Sequence, residues 1–174
     1  SHSDNGGNVS AEDAATYEKM HMFDVTLPDG TTRLESDRFR PGDRIVTLDT
    51  ELGCLGMSVC FDVRFPEWSR NHVTEGRFDY DCLVYTANFP SPRENELLTL
   101  ARARAVENQA YAMVVNRTGT DGYGRKYAGG CAVINPHGEI EAQTTPTHEE
   151  ILFHSCNFDT LKPLRELFPI AKFW

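Results

Sequence analysis

The sequence lacks the features that mark several specialised classes of protein. Its five cysteines form an odd count with no C-x-x-C pair, so the chain predicts neither a disulfide framework nor a zinc site. No apolar run is long enough to span a bilayer, and we expect no signal peptide. These absences predict a cytoplasmic protein without a metal ion or a membrane partner.

Positive charge is also scarce. Lys and Arg number 17 against 26 Asp and Glu, which gives a net charge of −9 and a sequence pI of about 5.1. Nucleic acids and anionic membranes need clustered basic side chains, so neither is expected as the main partner. The 174 residues are 40% hydrophobic, enough for one soluble domain with a core over residues 1–174.

The most informative segment spans residues 56–67, with the sequence GMSVCFDVRFPE. It predicts a buried strand that ends at Cys60, then a sharp turn and a helix that begins at Pro66. A thiol at the tip of such a turn faces a pocket and the N–H groups of the helix, which together favour a nucleophilic thiolate. A buried core cysteine is the alternative, because free cysteines are among the most buried residues.

The hydrophobic pattern elsewhere predicts alternating strands and helices. The predicted strands, apart from the one ending at Cys60, are residues 17–23, 44–49, 81–87, 112–116, 132–135, 139–143 and 151–157. The predicted helices are residues 66–75, 93–110 and 161–167. This order indicates the α/β class with a mixed sheet.

Five segments together resemble the nitrilase, or carbon–nitrogen hydrolase, superfamily, and most of all its ω-amidase branch. They are residues 17–24 (YEKMHMFD), 60–67 (CFDVRFPE), 88–90 (NFP), 103–109 (ARAVENQ) and 133–139 (VINPHGE). The resemblance implies an α-β-β-α sandwich with mixed sheets. It implies no cofactor and a small-molecule amide as substrate.

The resemblance also implies roles for individual residues. Cys60 matches the nucleophile that forms a thioester with the acyl group of the substrate. Lys19 matches the lysine that stabilises the oxyanion, and the backbone N–H of Phe61 matches the second oxyanion donor. Glu35 falls where the family has a second catalytic glutamate, which positions the lysine and the substrate.

Other residues near these motifs have weaker assignments. Two are expected to anchor the turn after the nucleophile: Arg64 and Glu67. Two are expected either to line the pocket or simply to pack: Tyr17 and His21. Two follow a buried strand on the presumed pocket side and are expected to contact substrate: Asn88 and Phe89.

The sequence departs from the family pattern at its start. The family triad is Glu–Lys–Cys, and the glutamate that acts as general base precedes the lysine. Only 18 residues precede Lys19, and their carboxylates lie in no matching motif: Asp4, Glu12, Asp13 and Glu18. We therefore expect a domain without its N-terminal strands, which is either unstable alone or completed by another chain. A homo-oligomer is expected from the resemblance as well.

Three functions stay open at this point. The first is hydrolysis of the ω-amide of a dicarboxylic acid monoamide, with release of ammonia through a Cys60 thioester. The second is hydrolysis of another C–N bond, in an N-carbamoyl compound or a nitrile. The third is an inactive nitrilase-like subunit that serves assembly. Fine specificity is left open by Glu96-Leu97, where this branch commonly has His-Trp, and by Cys131, where it has serine.

Overall fold

The computed structural model describes residues 15–27 and 29–174. The strands in this part of the chain are β1 (Val25–Thr26), β2 (Thr32–Arg33), β3 (Thr47–Thr50), β4 (Gly53–Val59), β5 (Val73–Thr74), β6 (Arg77–Phe78), β7 (Cys82–Ala87), β8 (Tyr111–Asn116), β9 (Thr118–Thr120), β10 (Lys126–Ala128), β11 (Ala132–Ile134) and β12 (Ile140–Gln143). The α-helices are α1 (Glu94–Asn108) and α2 (Leu161–Leu167).

Six strands form one mixed sheet in the order β12-β11-β8-β7-β4-β3. The three central strands β4, β7 and β8 are parallel, and the flanking pairs are antiparallel. The α/β class and the mixed sheet predicted from the sequence are therefore confirmed. Because β4, β7 and β8 run in one direction, their carboxyl ends meet at the same edge of the sheet.

The two faces of this sheet are covered differently. Alternate residues of β8 point to opposite faces, as the period of a strand requires. Ala112 and Val114 pack with Leu97 and Ala101 of α1 in one core cluster. On the other face, Tyr111 packs with Leu161 at the start of α2. Val115 at the end of this second face is 52% exposed, so the cover there is incomplete.

Three predicted elements are wrong. Residues 17–23 form no strand, because side-chain carboxylates rather than a neighbouring strand bind the backbone N–H groups of His21 and Phe23. Residues 151–157 are likewise irregular, although Leu152 and Cys156 pack against the second core cluster.

The predicted helix over 66–75 is reduced to a short 3-10 turn at Pro66–Trp68, followed by the hairpin of β5 and β6. Asn71 explains this difference. Its fully buried side chain accepts a hydrogen bond from the Tyr80 N–H and donates to the carbonyls of Tyr80 and Asn108. These bonds tie the chain to β7 and α1 at a point where a helix would have continued.

In the described residues, neither helix has the length and apolar character needed to cross a membrane.

Candidate active site

The carboxyl edge of the parallel strands carries a cavity of about 680 Å³. Cys60 follows β4, and Asn88 and Phe89 follow β7, so the sheet itself brings these residues to one place. All three line the cavity. This is the position at which open α/β sheets commonly bind their ligands.

Cys60 occupies a strained turn. Its φ angle is +53°, in the left-handed region that a residue with a side chain rarely adopts. The chain turns there from β4 into the 3-10 turn Cys60–Arg64. The Asp62 carboxylate accepts a hydrogen bond from the N–H of Val59, at 3.2 Å, and thereby closes the turn around Cys60. Strain of this kind, held by its surroundings, is characteristic of functional sites.

Lys19 reaches the same cavity from the other side. Its ammonium forms an ion pair with Glu35, and the Lys19 side chain is only 12% exposed. The Glu35 carboxylate also accepts a hydrogen bond from the Phe23 N–H at 2.6 Å. The Lys19 ammonium lies 6.0 Å from the centre of the Phe61 ring. Glu35 is thus bound to the lysine that the sequence predicted it would position.

Neighbouring groups shift the pKa of the Cys60 thiol in opposite directions. Burial raises its pKa above the ordinary value, while the backbone N–H of Asn88 and the Lys19 ammonium lower it. The Glu35 carboxylate raises the pKa, and the backbone N–H of Phe61 lowers it. The pKa of the thiol stays above its ordinary value, so the Lys19 ammonium and the backbone N–H groups offset only part of the effect of burial.

The cavity wall is rich in positive charge. The cationic side chains that line it are Lys19, Arg33, Arg38, Arg64, Arg93 and Arg125. Among the described residues, the carboxylates that line it are Glu35 and Asp37. Three of these cations are paired with carboxylates: Lys19 with Glu35, Arg64 with Glu96 and Arg125 with Asp121. The other three form no ion pair within the described residues, and their charge suits a ligand that is negatively charged.

Tyr17 and His21 lie behind the Cys60 turn and do not line the cavity. The Tyr17 hydroxyl donates to Asp62 at 2.8 Å, and the His21 ring stacks on Phe65 with centroids 3.7 Å apart. Two expectations were stated for these residues, lining the pocket or packing, and their positions agree with packing. Neither is positioned to contact a ligand in this cavity.

The two residues predicted to anchor the turn lie in different surroundings. Arg64 forms an ion pair with Glu96 of α1, and its guanidinium lies 5.8 Å from the centre of the Phe89 ring. It therefore ties the turn to α1 while also lining the cavity. Glu67 is exposed, and its side chain makes no hydrogen bond or ion pair within the described residues, so its anchoring role stays a prediction.

Sequence reasoning missed two buried polar residues that build the site. Asp62 binds the segments on both sides of the cavity. Asn116 accepts a hydrogen bond from the N–H of Phe89 and donates to the carbonyls of Phe89 and Gly129. Asp62 lies inside the Cys60 motif, and Asn116 ends a predicted buried strand. Both residues therefore lie in segments that the sequence had marked, but only the tertiary contacts reveal what they bind.

Asp4, Glu12 and Asp13 lie outside the described residues. Glu18, the described carboxylate before Lys19, is exposed. Within residues 15–27 and 29–174, no group of three or more His, Cys, Asp or Glu side chains is placed to hold a metal ion.

Comparison with known proteins identifies relatives for this arrangement. The family model described as "Carbon-nitrogen hydrolase" matches residues 3–166. The chain is 43% identical over 153 residues to the omega-amidase YafV of Yersinia enterocolitica, covering 88% of this chain and 55% of the relative. It is 37% identical over 158 residues to a 2-oxoglutaramate amidase of Paenarthrobacter nicotinovorans, covering 90% of this chain and 51% of the relative.

A solved structure is similar over most of the chain as well. The protein XC1258 from Xanthomonas campestris, described as a CN-hydrolase superfamily protein with an arsenic adduct in the active site, matches with a TM-score of 0.77 and 30% identity. The match covers 84% of this chain and 60% of that one. The chain therefore spans about half the length of the curated relatives it matches.

Proposed function

The chain belongs to the carbon–nitrogen hydrolase family, and on this basis we propose that it hydrolyses the ω-amide of a small dicarboxylic acid monoamide. Cys60 is the nucleophile in this proposal and forms a thioester as ammonia leaves. The observation that carries it is the convergence of Cys60, Lys19 and Glu35 on one cavity at the carboxyl edge of the sheet. The names of the relatives, omega-amidase and 2-oxoglutaramate amidase, support the choice of substrate class.

The geometry supports a defined sequence of steps. The Cys60 thiolate attacks the amide carbon, and the carbonyl oxygen becomes an oxyanion. The Lys19 ammonium and the Phe61 backbone N–H supply fixed positive charge for that oxyanion, which in a water-poor site contributes several kcal/mol. The base that took the thiol proton returns it to the nitrogen, and the tetrahedral intermediate collapses to a thioester and ammonia. Water, activated by the same base, then attacks the thioester, releases the acid and restores the thiol.

Glu35 positions the Lys19 ammonium through their ion pair. It is also one of the two carboxylates that line the cavity in the described part of the chain, the other being Asp37. The proposal needs a proton acceptor for the thiol. The family's general base has no motif match among these 174 residues, so a base supplied from outside them, as by the second chain proposed below, is part of the proposal.

The cationic wall supports a substrate with a carboxylate at its far end. A dicarboxylic acid monoamide carries the amide to be cleaved at one end and a negative charge at the other. The six cationic side chains of the cavity would favour this charge over a neutral group. We therefore rank such monoamides above neutral nitriles, while N-carbamoyl compounds that carry a carboxylate stay the alternative substrates within the family.

Substitution of Cys60 tests the proposal. Cys60→Ala should abolish release of ammonia from 2-oxoglutaramate, and intact mass spectrometry should detect an acyl adduct only on the unsubstituted chain. Cys156→Ala, which removes another partly buried thiol away from the cavity, is the matched control. Ammonia release that survives Cys60→Ala would overturn the proposal. Absence of both Cys60 acylation and ammonia release would favour the alternative of an inactive subunit that serves assembly.

We further propose that another chain, a second copy or a complementing one, covers part of this protein. Large apolar side chains are exposed near the C-terminus: Ile151, Phe153, Leu167, Phe168 and Phe173. Val115 adds to them on the open face of the sheet. Such surface is unusual for a monomer. A monomer of 19.6 kDa that melts cooperatively in light-scattering and calorimetric measurements would contradict this proposal.

A further inference from the structure

One buried carboxylate joins the two segments that meet at the cavity. Asp62 follows Cys60 by two residues, and its contacts reach the segment that contains Lys19. We propose that Asp62 is a positioning residue, which fixes the Lys19 ammonium relative to the Cys60 sulfur without contacting the substrate itself.

The hydrogen bonds of Asp62 divide between the two segments. Oδ2 accepts from the Tyr17 hydroxyl at 2.8 Å and from the Val59 N–H at 3.2 Å. Oδ1 accepts from the His21 N–H at 2.9 Å and lies 2.8 Å from the His21 Nδ1. Tyr17 and His21 stand two residues before and two residues after Lys19, and Val59 directly precedes Cys60. One carboxylate therefore holds the lysine segment on both sides of the lysine.

These contacts are buried and well partnered. Asp62 is only 3% exposed, and a carboxylate at such a depth is stable only when donors surround it. Burial, reinforced by Asp62, raises the pKa of Tyr17, so this phenol stays a neutral donor. The stacked His21 and Phe65 rings add a second, apolar contact between the same two segments.

The lysine segment has few other means of support. Residues 17–23 belong to no strand. Within the described residues, their other long-range hydrogen bonds are the Glu35 contacts and the bond from the Gly42 N–H to the Lys19 carbonyl at 2.8 Å. The Phe23 ring also packs on the Phe61 ring, with centroids 5.1 Å apart. Asp62 is absent from the cavity lining, so it acts through the residues that it holds. A displacement of about 1 Å at a catalytic group can reduce a rate by about 10²-fold, which makes such support functional.

Asp62→Asn is the substitution that tests this role. Asparagine has the same shape, but one of its two side-chain positions becomes an NH₂ that faces N–H or O–H donors. The inference rests on the proposed function, in which Lys19 and Cys60 act together. The measurement does not depend on that function, because alkylation of Cys60 by iodoacetamide reports the thiolate whether or not the chain hydrolyses an amide. Peptide mass spectrometry separates Cys60 from the other cysteines.

The direction of the change in alkylation rate distinguishes a positioning role of Asp62 from a direct effect of its charge on the thiol. Loss of the Asp62 charge alone would lower the thiol pKa and accelerate alkylation. Loss of lysine placement should instead raise the pKa, because Lys19 is one of the groups that lower it. Glu35, the other charged group that acts on Cys60, is unchanged in this variant. We expect alkylation near pH 7 to be about tenfold slower, as for a rise of about one unit in pKa.

A double-mutant cycle with Lys19→Met completes the test. If Asp62 acts through Lys19, Asp62→Asn should slow alkylation no further once Lys19 is methionine. Effects that multiply, or an unchanged or accelerated rate in Asp62→Asn, would overturn the inference. Asp81→Asn is the control, because it breaks the ion pair with Arg165 away from the cavity and should leave the alkylation profile unchanged.

Tyr17→Phe keeps the test decisive if Asp62→Asn fails to fold. It removes one hydroxyl and its hydrogen bond to Asp62. We expect a slowing of about two- to threefold that disappears in the Lys19→Met background. A profile equal to that of the unsubstituted protein would contradict the role of Asp62.

Discussion

The two segments that meet at the cavity are held in different ways. The Cys60 turn continues β4, which pairs with β7 through five residues and is fixed by the sheet. The Lys19 segment has no strand partner and is fixed by the carboxylates of Asp62 and Glu35. One half of the site therefore depends on backbone pairing and the other on a few side chains. Substitutions should therefore be able to displace the Lys19 segment without unfolding the sheet.

The largest expected effect is on the side-chain-held half. Lys19→Met should lower the rate of amide hydrolysis about 10²–10³-fold, because it removes a fixed positive charge from the developing oxyanion. Lys162→Met is the control, since the Lys162 side chain is 84% exposed and pairs with Glu166 on α2. Steady-state kinetics measure both variants. A similar loss in the two variants would contradict the assignment of Lys19.

A pair of glycine substitutions compares the two halves directly. A Cβ at Gly56 would lie 2.9 Å from the buried Tyr80 ring and 3.0 Å from Leu83. Gly56→Ala should therefore lower the free energy of unfolding by about 1–3 kcal/mol through overpacking. A Cβ at Gly42 would overlap the Glu18 carbonyl oxygen, next to Lys19.

Gly42→Ala should mainly displace the lysine segment, and we expect activity to fall by up to about 10²-fold with little change in stability. Urea denaturation and kinetics on both variants test the comparison. It would fail if Gly56→Ala spared stability, or if Gly42→Ala lowered stability as much as Gly56→Ala did.

The smallest expected effect concerns Cys82, a fully buried thiol at the start of β7. Burial raises the pKa of Cys82, as does the neighbouring Cys156, and no positive group offsets them as Lys19 does at Cys60. The unfolded thiol loses its proton near pH 8.5, whereas the folded one keeps it. Above that pH the unfolded state binds fewer protons, so the free energy of unfolding falls as pH rises.

The Cys82 contribution is fully present below the ordinary thiol pKa and is lost as pH rises above it. Cys82→Ala should therefore flatten the decline of stability between about pH 8 and 10, relative to the unsubstituted protein. Urea denaturation across this range measures the slope. An identical slope in both proteins would show that Cys82 keeps its ordinary pKa in the fold.

The parts of the fold that the sequence predicted correctly are those with strong local signals. The apolar runs over 81–87 and 112–116 predicted β7 and β8, and the helix-forming residues over 93–110 predicted α1, because these signals lie within each segment. The predicted helix over 66–75 failed because Asn71 makes its bonds to residues far along the chain. The predicted strand over 17–23 failed because its polar backbone groups are bound by Asp62 and Glu35.

The sequence by itself determined the family, the α/β class and the candidate residues Cys60, Lys19 and Glu35, because short motifs and hydrophobic period survive in a linear chain. Only the tertiary structure decided how these residues meet. It placed Tyr17 and His21 behind the turn rather than in the cavity, and it left Glu67 in solvent. The physical reason is that hydrogen bonds across 41 or 45 residues, such as those to Asp62, leave no local pattern in the sequence.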